Sequence, residues 1–532
     1  MSGDSRGQVS YVGEPGAPTT IPWLLGARAD QTPASRFVHF DGVDRTFAET
    51  LAAAEGAAAA LAAAGVGRGD RVALMLPNSL EFLDLWFGAA LIGAVLVPVN
   101  TALKGEGLRY IVEHSEARLA VVDAPLCETF DAALGAGRPD RRYVRGAADG
   151  WEQLGELLAG GHPAAEPARL EPGDLASILY TSGTTGLPKG VRNCHNAYAT
   201  AGWEFTHRHV EVRADDVLYT SLPLFHVNAQ MLSVIGSLVS GAPLVLAPRF
   251  SASRFFDDMR AHRATVFNYI GAMLTMLYKQ PERPDDADNT VRLTVGGAAP
   301  AEQWEAFERR FGLSILEIYG LTETATFCVG SPPDDTRVGK LGVPVSWAEV
   351  EVHRSDGTVA EAGEPGEIVV RSTRPDVLFK GYDKNDEATE RALEGGWFHT
   401  GDRGRRDPDG YLVFLDRLKD TIRRRGENIS SYEVERVVNS HPAVSESAAV
   451  GVPSELGEEE VMIVVVAATD GQLDPDELVD FCEARMAGFM VPRYVLVRDA
   501  LPKTATERVQ KFQLREEGSA GAWDRLAAKP RA

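Results

Sequence analysis

Helix-like and strand-like segments alternate through the first part of the chain. Residues 46–64 are rich in alanine and leucine and predict a helix, a Gly-Val-Gly stop follows, and residues 71–76 (RVALML) predict a strand. The same rhythm then continues in four segments: helix 79–92, strand 95–99, helix 104–115 and strand 119–122. Such alternation predicts parallel strands joined by helical crossovers, and therefore a layered α/β domain.

The rest of the chain contains a second set of predicted strands, a connecting segment, a β-rich part and a final part of helix–strand units. Five further segments predict a second parallel sheet: 176–180, 217–221, 243–246, 266–269 and 292–295. Residues 132–172 are rich in Gly, Ala, Pro and charge, so we expect a surface connection there. Beyond Gly339, short β-like pieces separated by turns predict a small β subdomain, and helix–strand units after Arg417 predict a separate α+β domain.

The predicted fold class is therefore α/β, with a large N-terminal domain of two layered α/β subdomains and a small β subdomain, followed by a smaller, separate α+β C-terminal domain. The expected boundaries are 1–416 for the N-terminal domain, about 1–170 and 171–340 for its two α/β subdomains, 341–416 for its β subdomain and 417–532 for the C-terminal domain.

The net charge and the cysteine content limit the classes of binding partner and the compartment that we expect. With 54 basic and 76 acidic residues, the net charge of -22 disfavours a chain-wide grip on nucleic acid or an anionic membrane. The 4 cysteines lack the spacing of a disulfide framework or a zinc site, which fits a reducing cytoplasm. The N-terminus lacks the pattern of a secretory signal, and the apolar stretch 85–99 is shorter than the roughly 20 residues that span a bilayer. We expect a cytoplasmic protein with a small-molecule partner; the sequence does not specify its oligomeric state.

The segment TSGTTGLPKG at 181–190 follows a predicted strand directly and has the chemistry of a polyphosphate-binding loop. Its glycines let backbone amides close on an anion, its hydroxyls donate further hydrogen bonds, and its lysine adds positive charge. The Walker A spacing is absent, because Lys189 is followed by Gly190 rather than by Ser or Thr. The candidate triphosphate-binding residues are Thr181, Ser182, Gly183, Thr184, Thr185, Gly186 and Lys189.

This segment resembles the phosphate loop of the adenylate-forming superfamily, which contains acyl-CoA synthetases, luciferases and peptide-synthetase adenylation domains. Further similar motifs follow in order along the chain: FHVN at 225–228, GGAAP at 296–300, YGLTET at 319–324, WFHTGD at 397–402, DRLKD at 416–420, RGENIS at 425–430 and PKTATERVQK at 502–511. The C-terminal part is most similar to the branch that contains carnitine/crotonobetaine-CoA ligases.

The resemblance implies that ATP and Mg²⁺ activate a small acid or anion as an adenylate with release of pyrophosphate, and that CoA then accepts the acyl group. It places Thr322 at the α-phosphate and Glu323 on the magnesium ion. Adenine and ribose would be bound by Tyr319, Gly320, Gly297, Ala298, Ala299, Asp402 and Arg417. The acid pocket would be lined by His226, Val227, Asn228 and Cys328.

The resemblance also implies a mobile C-terminal domain that serves two half-reactions in turn. Lys419 lies at the pivot position, and Gly426 would leave room for the pantetheine arm of CoA. The arginines at 423–425 would meet the CoA phosphates or form a solvated basic face.

One position departs from the family pattern. Where the C-terminal motif usually carries Gly-Lys, this chain has Glu507 and Arg508, and an arginine fork is not a conservative replacement for an ammonium group. Either Arg508 takes over the catalytic role, or Lys503 or Lys511 does, or the substrate does not need that lysine. Three functions therefore stay open. The first is an acid–CoA ligase. The second is an adenylating enzyme whose acceptor is an amine or a carrier-protein thiol, including an enzyme that joins nitrite to an aryl amine, and the third is a non-enzymatic ATP sensor.

Overall fold

The computed structural model describes residues 9–13, 17–135, 139, 141–181, 188–424, 427–454, 459–468, 473–503 and 508–528. The chain divides into two compact units. Unit 1 contains Met1–Thr181, Leu187–Val350 and Val370–Phe398, and unit 2 contains Glu351–Val369 and His399–Ala532.

The strands of the described residues, numbered in chain order, are β1 (Arg36–Phe40), β2 (Val43–Thr46), β3 (Arg71–Met75), β4 (Val95–Pro98), β5 (Leu119–Asp123), β6 (Arg141–Arg145), β7 (Glu152–Gln153), β8 (Leu175–Thr181), β9 (Lys189–Cys194), β10 (Leu218–Thr220), β11 (Leu244–Leu246), β12 (Val266–Ile270), β13 (Leu293–Gly297), β14 (Ser314–Tyr319), β15 (Val329–Gly330), β16 (Val343–Pro344), β17 (Ala348–His353), β18 (Pro365–Ser372), β19 (Phe398–Arg406), β20 (Leu412–Arg417), β21 (Ile422–Arg424), β22 (Glu427–Ile429), β23 (Val444–Pro453), β24 (Glu459–Ala467), β25 (Tyr494–Arg498) and β26 (Trp523–Asp524).

The α-helices are α1 (Ile21–Gln31), α2 (Phe47–Ala63), α3 (Leu80–Leu91), α4 (Gly105–Ser115), α5 (Cys127–Leu134), α6 (Leu154–Ala159), α7 (His195–Trp203), α8 (Ile235–Ser240), α9 (Phe255–His262), α10 (Gly271–Tyr278), α11 (Trp304–Phe311), α12 (Asp386–Ala392), α13 (Ser431–Asn439), α14 (Pro475–Glu483), α15 (Lys511–Glu517) and α16 (Arg525–Ala528). Short 3-10 turns occur at Ala124–Leu126, Thr322–Thr324 and Glu394–Gly396, and π-helical turns at Glu204–His209 and Asn228–Val234.

The first α/β layer of unit 1 is a seven-stranded sheet in the order β7-β6-β5-β3-β4-β8-β9. Its strands pair in parallel except for the antiparallel pair β8–β9, as the alternating segments predict. Local capping fixes its helices: Thr46 and Glu49 form a capping box on α2, and the Ser79 hydroxyl accepts from the Phe82 amide at the start of α3. The segment 132–172 is not merely a connection, because it contributes β6, β7 and α6.

The second layer of unit 1 is a nine-stranded sheet in the order β16-β15-β14-β13-β12-β10-β11-β1-β2. The strands β10 to β14 and β1 pair in parallel, and β2, β15 and β16 are antiparallel additions at the edges. The carboxyl ends of parallel strands meet at one edge of a sheet, where α/β proteins bind their ligands. Here β13 ends at Gly297 and β14 ends at Tyr319, and both residues belong to the sequence motifs.

The strands β17 to β20 form a four-stranded sheet in that order. Unit 2 also has the hairpin β21–β22 and a sheet in the order β23-β24-β25-β26. One face of this last sheet packs on α13 and α14 through Val434, Val438 and Leu478, and the other face packs on Leu514 of α15. This arrangement agrees with the α+β texture predicted for the C-terminal part.

Three further observations concern membrane-spanning helices, metal-ligand clusters and the cysteines. Among the described residues, no helix combines the length and apolar character that crossing a bilayer requires. Within the same residues, no three His, Cys, Asp or Glu side chains cluster closely enough to hold a metal ion by themselves. Four buried thiols, none of them in a disulfide bond, are those of Cys127, Cys194, Cys328 and Cys482.

Candidate nucleotide and acid site

The loop that follows β13 is held by a buried carboxylate. Glu317, on the neighbouring strand β14, accepts the Ala298 amide on one oxygen at 2.6 Å and the Ala299 amide on the other at 3.1 Å. Ala298 has a positive φ of 65°, a conformation that non-glycine residues rarely adopt. The two successive amides form a nest around the carboxylate, so Glu317 keeps the loop of Gly297, Ala298 and Ala299 in one shape.

Two further contacts fix this loop. The Tyr269 hydroxyl of β12 donates to the second oxygen of Glu317 at 2.8 Å. A Cβ atom at Gly271 would collide with the carbonyl of Ala298, so the start of α10 must be a glycine for the loop to approach it. Burial raises the pKa of Glu317 from 4.5 to about 7, and the three hydrogen bonds act in the opposite direction.

The YGLTET motif leaves β14 through a tight turn. Tyr319 is buried at the end of the strand, and a Cβ atom at Gly320 would overlap the backbone of Phe327. Thr322 and Glu323 lie in a 3-10 turn that Thr324 closes, since its hydroxyl accepts from the Leu321 amide at 2.8 Å. The next two residues, Ala325 and Thr326, have positive φ angles of 48° and 76°. Strained backbone of this kind persists where surrounding contacts hold it, and it often accompanies functional sites.

Glu323 is 7% exposed, and a tyrosine from a distant part of unit 1 fixes its carboxylate. The Tyr382 hydroxyl donates to Glu323 Oε1 at 2.9 Å, and the Phe379 amide donates to the Glu323 carbonyl at 3.0 Å. Burial, followed by the charge of Glu323, raises the pKa of Tyr382 above its ordinary value of 10. The phenol therefore remains a proton donor throughout the neutral range.

The phosphate loop joins β8 to β9, whose end residues Thr181 and Lys189 pair directly in the antiparallel ladder. Ser182, Gly183, Thr184, Thr185 and Gly186 lie outside the described residues. Lys189 Nζ lies over the ring of Tyr382, 4.6 Å from its centroid. The residue that contacts Glu323 thus also contacts the lysine of the phosphate loop.

The predicted acid-pocket residues follow β10. His226, Val227 and Asn228 are half-buried, and Asn228 begins a π-helical turn. The side-chain amide of Asn268, on β12, donates to the Asn228 side-chain oxygen at 2.7 Å, so this part of the predicted pocket has a polar wall. Cys328 is buried, and its backbone amide donates to the Tyr319 carbonyl at 2.9 Å. The segments 226–228 and 319–328 thus follow or include strands of one sheet, β10 and β14, which have β12 and β13 between them.

The ribose candidates belong to unit 2. Asp402 on β19 and Arg417 on β20 are cross-strand partners, and their side chains form an ion pair at 3.3 Å. Asp402 is 3% exposed, and its amide donates to the Thr400 hydroxyl at 3.1 Å. A buried carboxylate beside a half-exposed guanidinium suits a pair of sugar hydroxyls next to a phosphate.

The remaining predicted residues of unit 2 differ in their surroundings. Lys419 is exposed in the turn after β20, and Arg508 is exposed before α15. Gly426 lies outside the described residues. Arg424 is 4% exposed and pairs with the buried Glu460 at 2.7 Å, so it is a structural residue rather than a CoA-phosphate contact.

Both alternative lysines are engaged. Lys503 Nζ lies 2.7 Å from Glu446. Lys511 Nζ lies 2.7 Å from Glu435 and 2.6 Å from the Ser431 hydroxyl at the start of α13. Each of these two lysines thus has a carboxylate partner within unit 2.

Sequence reasoning missed three residues at the site: Glu317, Tyr382 and Asn268. Glu317 had a detectable signal, because it is the only charged residue in the apolar run ILEIY, and a charge in a buried strand requires partners. Tyr382 and Asn268 had no such signal, since only the fold brings them to their partners.

Comparison with known proteins places this chain. The model of the AMP-binding enzyme family matches residues 25–383, and the model of the AMP-binding enzyme C-terminal domain matches residues 433–508. The chain therefore belongs to the AMP-binding enzyme family, which confirms the resemblance drawn from its motifs.

Three relatives illustrate the range of this similarity. A crotonobetaine/carnitine–CoA ligase of Salmonella typhi is 34% identical over 465 residues, which cover 85% of this chain and 89% of the ligase. The crystal structure of the anthranilate CoA ligase AuaEII with anthranoyl-AMP superposes with a TM-score of 0.86 at 26% identity, covering 96% of this chain and 98% of that one. The structure of the o-succinylbenzoate CoA synthetase MenE from Bacillus subtilis, in complex with ATP and a magnesium ion, superposes with a TM-score of 0.80 at 29% identity. This match covers 92% of this chain and 98% of that one.

Proposed function

We propose that the protein is an ATP-dependent, AMP-forming acid–CoA ligase. It activates the carboxylate of a small acid as an acyl-adenylate, releases pyrophosphate and transfers the acyl group to the thiol of CoA. The observation that carries the proposal is the arrangement in unit 1 of a held backbone loop, a buried glutamate and a lysine at the phosphate loop. The CoA-ligase relatives support the same reaction.

The residues of this chain bind and orient the reactants. The loop 297–299 and the ring of Tyr319 would hold adenine, and Asp402 with Arg417 would bind the ribose. Lys189 and Thr181, with Ser182 to Gly186, would bind the triphosphate, and Thr322 would donate to the α-phosphate. Activation of a carboxylate at the α-phosphorus is chiefly a matter of in-line positioning and charge neutralisation, which these groups supply.

The donor chemistry at Glu323 fits a magnesium ion. Mg²⁺ in nucleotide sites is typically held by one or two carboxylates together with phosphate oxygens, rather than by a cage of protein ligands. Glu323 offers one such carboxylate, and the described residues hold no larger cluster of ligands. A bound magnesium ion neutralises charge on the triphosphate oxygens.

Unit 2 would serve the second half-reaction. We assign residues 417–532 to a mobile C-terminal domain that pivots at Lys419, a position that lies in an exposed turn. Gly426 would leave space for the pantetheine arm. Arg508, exposed before α15, would take the place of the usual lysine during adenylation.

The proposed substrate class is a small carboxylic acid. His226, Val227, Asn228 and Cys328 would line its pocket, with Asn268 adding a polar group. By their names, the three relatives act on crotonobetaine or carnitine, on anthranilate and on o-succinylbenzoate, so we infer that a carboxylate is the common element of the substrates.

The test is a screen of purified protein with ATP, Mg²⁺, CoA and a panel of carnitine-like, aryl and aliphatic acids. The expected result is AMP, pyrophosphate and an acyl-CoA that mass spectrometry detects only when all four components are present. AMP formation without any need for CoA would contradict the CoA step, and a diazonium trapped with nitrite and an aryl amine would assign the alternative chemistry. The variant Glu323→Gln should lose the Mg²⁺-dependent release of pyrophosphate, and Glu305→Gln, at an exposed site on α11, is its matched control.

A further inference from the structure

Tyr382 joins the two charged groups that would face the triphosphate. It is 6% exposed, its hydroxyl donates to Glu323 Oε1 at 2.9 Å, and its ring lies under Lys189 Nζ at 4.6 Å from the centroid. A phenol–carboxylate hydrogen bond and a cation–ring contact are both directional, so the position of this one side chain constrains two others.

The backbone around Tyr382 is itself anchored to the strand of the phosphate loop. Tyr382 forms an antiparallel bridge with Val191 on β9. On one side the Lys380 amide donates to the Arg192 carbonyl at 2.7 Å, and on the other the Asp383 amide donates to the Gly190 carbonyl at 2.7 Å. Tyr382 is therefore fixed relative to β9, which begins at Lys189.

The segment before Tyr382 is anchored to the Glu323 turn as well. The Phe379 amide donates to the Glu323 carbonyl at 3.0 Å, and the Phe379 and Tyr382 rings lie 5.0 Å apart. The backbone and the side chain of Glu323 are thus held by one short segment, residues 379–382. A tyrosine suits this place because a neutral donor orients the carboxylate and leaves its negative charge available, whereas lysine or arginine would neutralise it.

We propose that Tyr382 is a positioning residue for the metal–triphosphate site: its hydroxyl orients Glu323 toward the cation of Mg·ATP, and its ring seats the Lys189 ammonium group. This inference rests on the proposed function for the identity of the ligand. It assigns separate consequences to the two parts of one side chain. Loss of the hydroxyl weakens cation binding, and loss of the ring also weakens binding of the triphosphate.

Two variants separate the contributions. Tyr382→Phe removes the hydroxyl and keeps the ring, whereas Tyr382→Leu removes both. Tyr143→Phe is the matched control, because Tyr143 is a 4% exposed tyrosine on β6, remote in the sheet order from β9. Circular dichroism establishes that each variant is folded, and the isosteric Phe variant carries the test even if the Leu variant does not fold.

The first readout is the Mg²⁺ concentration that gives half-maximal pyrophosphate release at fixed ATP. For Tyr382→Phe we expect this half-saturating concentration to rise about tenfold, with kcat restored at saturating Mg²⁺. The expected factor is the one that corresponds to the loss of a hydrogen bond to a charged group. Tyr382→Leu should in addition raise the KM for ATP at saturating Mg²⁺. A lower kcat at every Mg²⁺ concentration, with unchanged half-saturation, would overturn the proposal.

The second readout does not depend on turnover. Electron paramagnetic resonance titration measures the Kd of Mn²⁺ for the protein in complex with a non-hydrolysable ATP analogue. Tyr382→Phe should raise this Kd about tenfold and Tyr143→Phe should leave it unchanged. Equal Kd values for Tyr382→Phe and the wild type would refute the inference. If the wild type binds Mn²⁺ and the analogue but forms no AMP with any acid, the proposed function fails while the Tyr382 comparison still gives its own answer.

Discussion

Glu317 makes the stability of this protein depend on pH in a direction that can be worked out. Its pKa is about 7 in the folded protein and 4.5 in the ordinary, solvated state. Between these values the folded state binds a proton that the unfolded state has released, so the free energy of unfolding falls as the pH rises. The contribution is complete below pH 4.5, and it is lost by the time the pH exceeds 7.

The size of the effect follows from the same two values. At about 1.4 kcal/mol for each pKa unit, the wild type should lose about 2 to 3 kcal/mol between pH 5 and pH 8 through this one group. Glu317→Gln has nearly the same shape but does not titrate. It sacrifices one acceptor for the Ala299 amide, which is a constant cost at every pH.

The assay is urea unfolding of the wild type and Glu317→Gln at pH 5, 6, 7 and 8, with the difference in unfolding free energy taken at each pH. Other titrating groups cancel in that difference, which should move by about 2 to 3 kcal/mol in favour of the Gln variant as the pH rises. A difference that stays constant across this range would refute the reasoning.

Tyr269→Phe provides a second arm of the same test. The Tyr269 hydroxyl lowers the pKa of Glu317 by donating to its carboxylate. Its removal should raise that pKa further and extend the pH-dependent range upward. Glu317→Gln thus abolishes the pH-dependent change in unfolding free energy, whereas Tyr269→Phe shifts it to higher pH.

Three further predictions concern other parts of the chain. Glu323→Gln should abolish Mg²⁺-dependent pyrophosphate release in a folded protein, and unchanged release would remove Glu323 from the site. Arg508→Ala should slow adenylation more than thioester formation in single-turnover assays, and equal slowing of the two steps would contradict its assigned role. Arg424→Met should lower the unfolding free energy by about 1 to 3 kcal/mol, because the buried Glu460 loses its cation at 2.7 Å while Arg493 lies farther away, at 3.9 Å; adding Glu460→Leu should restore most of the loss, and no recovery would refute the pairing argument.

The elements that the sequence predicted well are those with complete local signals. The segment 79–92 became α3 (Leu80–Leu91) because Ser79 caps it and the apolar residues that follow are buried. The apolar run at 71–76 became β3, which lies between two parallel partners, where a strand is buried on both faces. Local composition and tertiary burial agree at these places.

The segment 132–172 was misjudged because its strands carry weak local signals. β6 (RRYVR) has three arginines, of which Arg142 and Arg145 are paired with Asp131 and Asp123. Its buried residues are only Tyr143 and Val144. The strand forms because β5 offers a free edge, and that is a property of the sheet rather than of the segment.

The same distinction applies to the site. Motif residues such as Glu323 and Lys189 could be named from the sequence, because each belongs to a short pattern with a chemical purpose. Tyr382 lies 59 residues from Glu323 and Asn268 lies 40 residues from Asn228, so no local pattern connects them. Sequence reasoning identified the groups that would touch the substrates, and the fold was needed to identify the groups that hold them in place.

The ion pairs of the candidate lysines bear on which cation serves the C-terminal motif, because a lysine must leave its carboxylate partner before it can contact the substrates. Lys511 is 13% exposed and holds Glu435, which is 17% exposed, so moving it would leave a largely buried carboxylate without its cation. Breaking a buried pair in this way costs about 3 to 5 kcal/mol. Lys503 is 30% exposed and pairs with Glu446 at 33% exposure, which costs less to break, about 0 to 1 kcal/mol, but its position is tied to Val509 by a backbone bridge. Arg508 is exposed and occupies the motif position itself, so we predict that it, rather than Lys503 or Lys511, supplies the cation for adenylation.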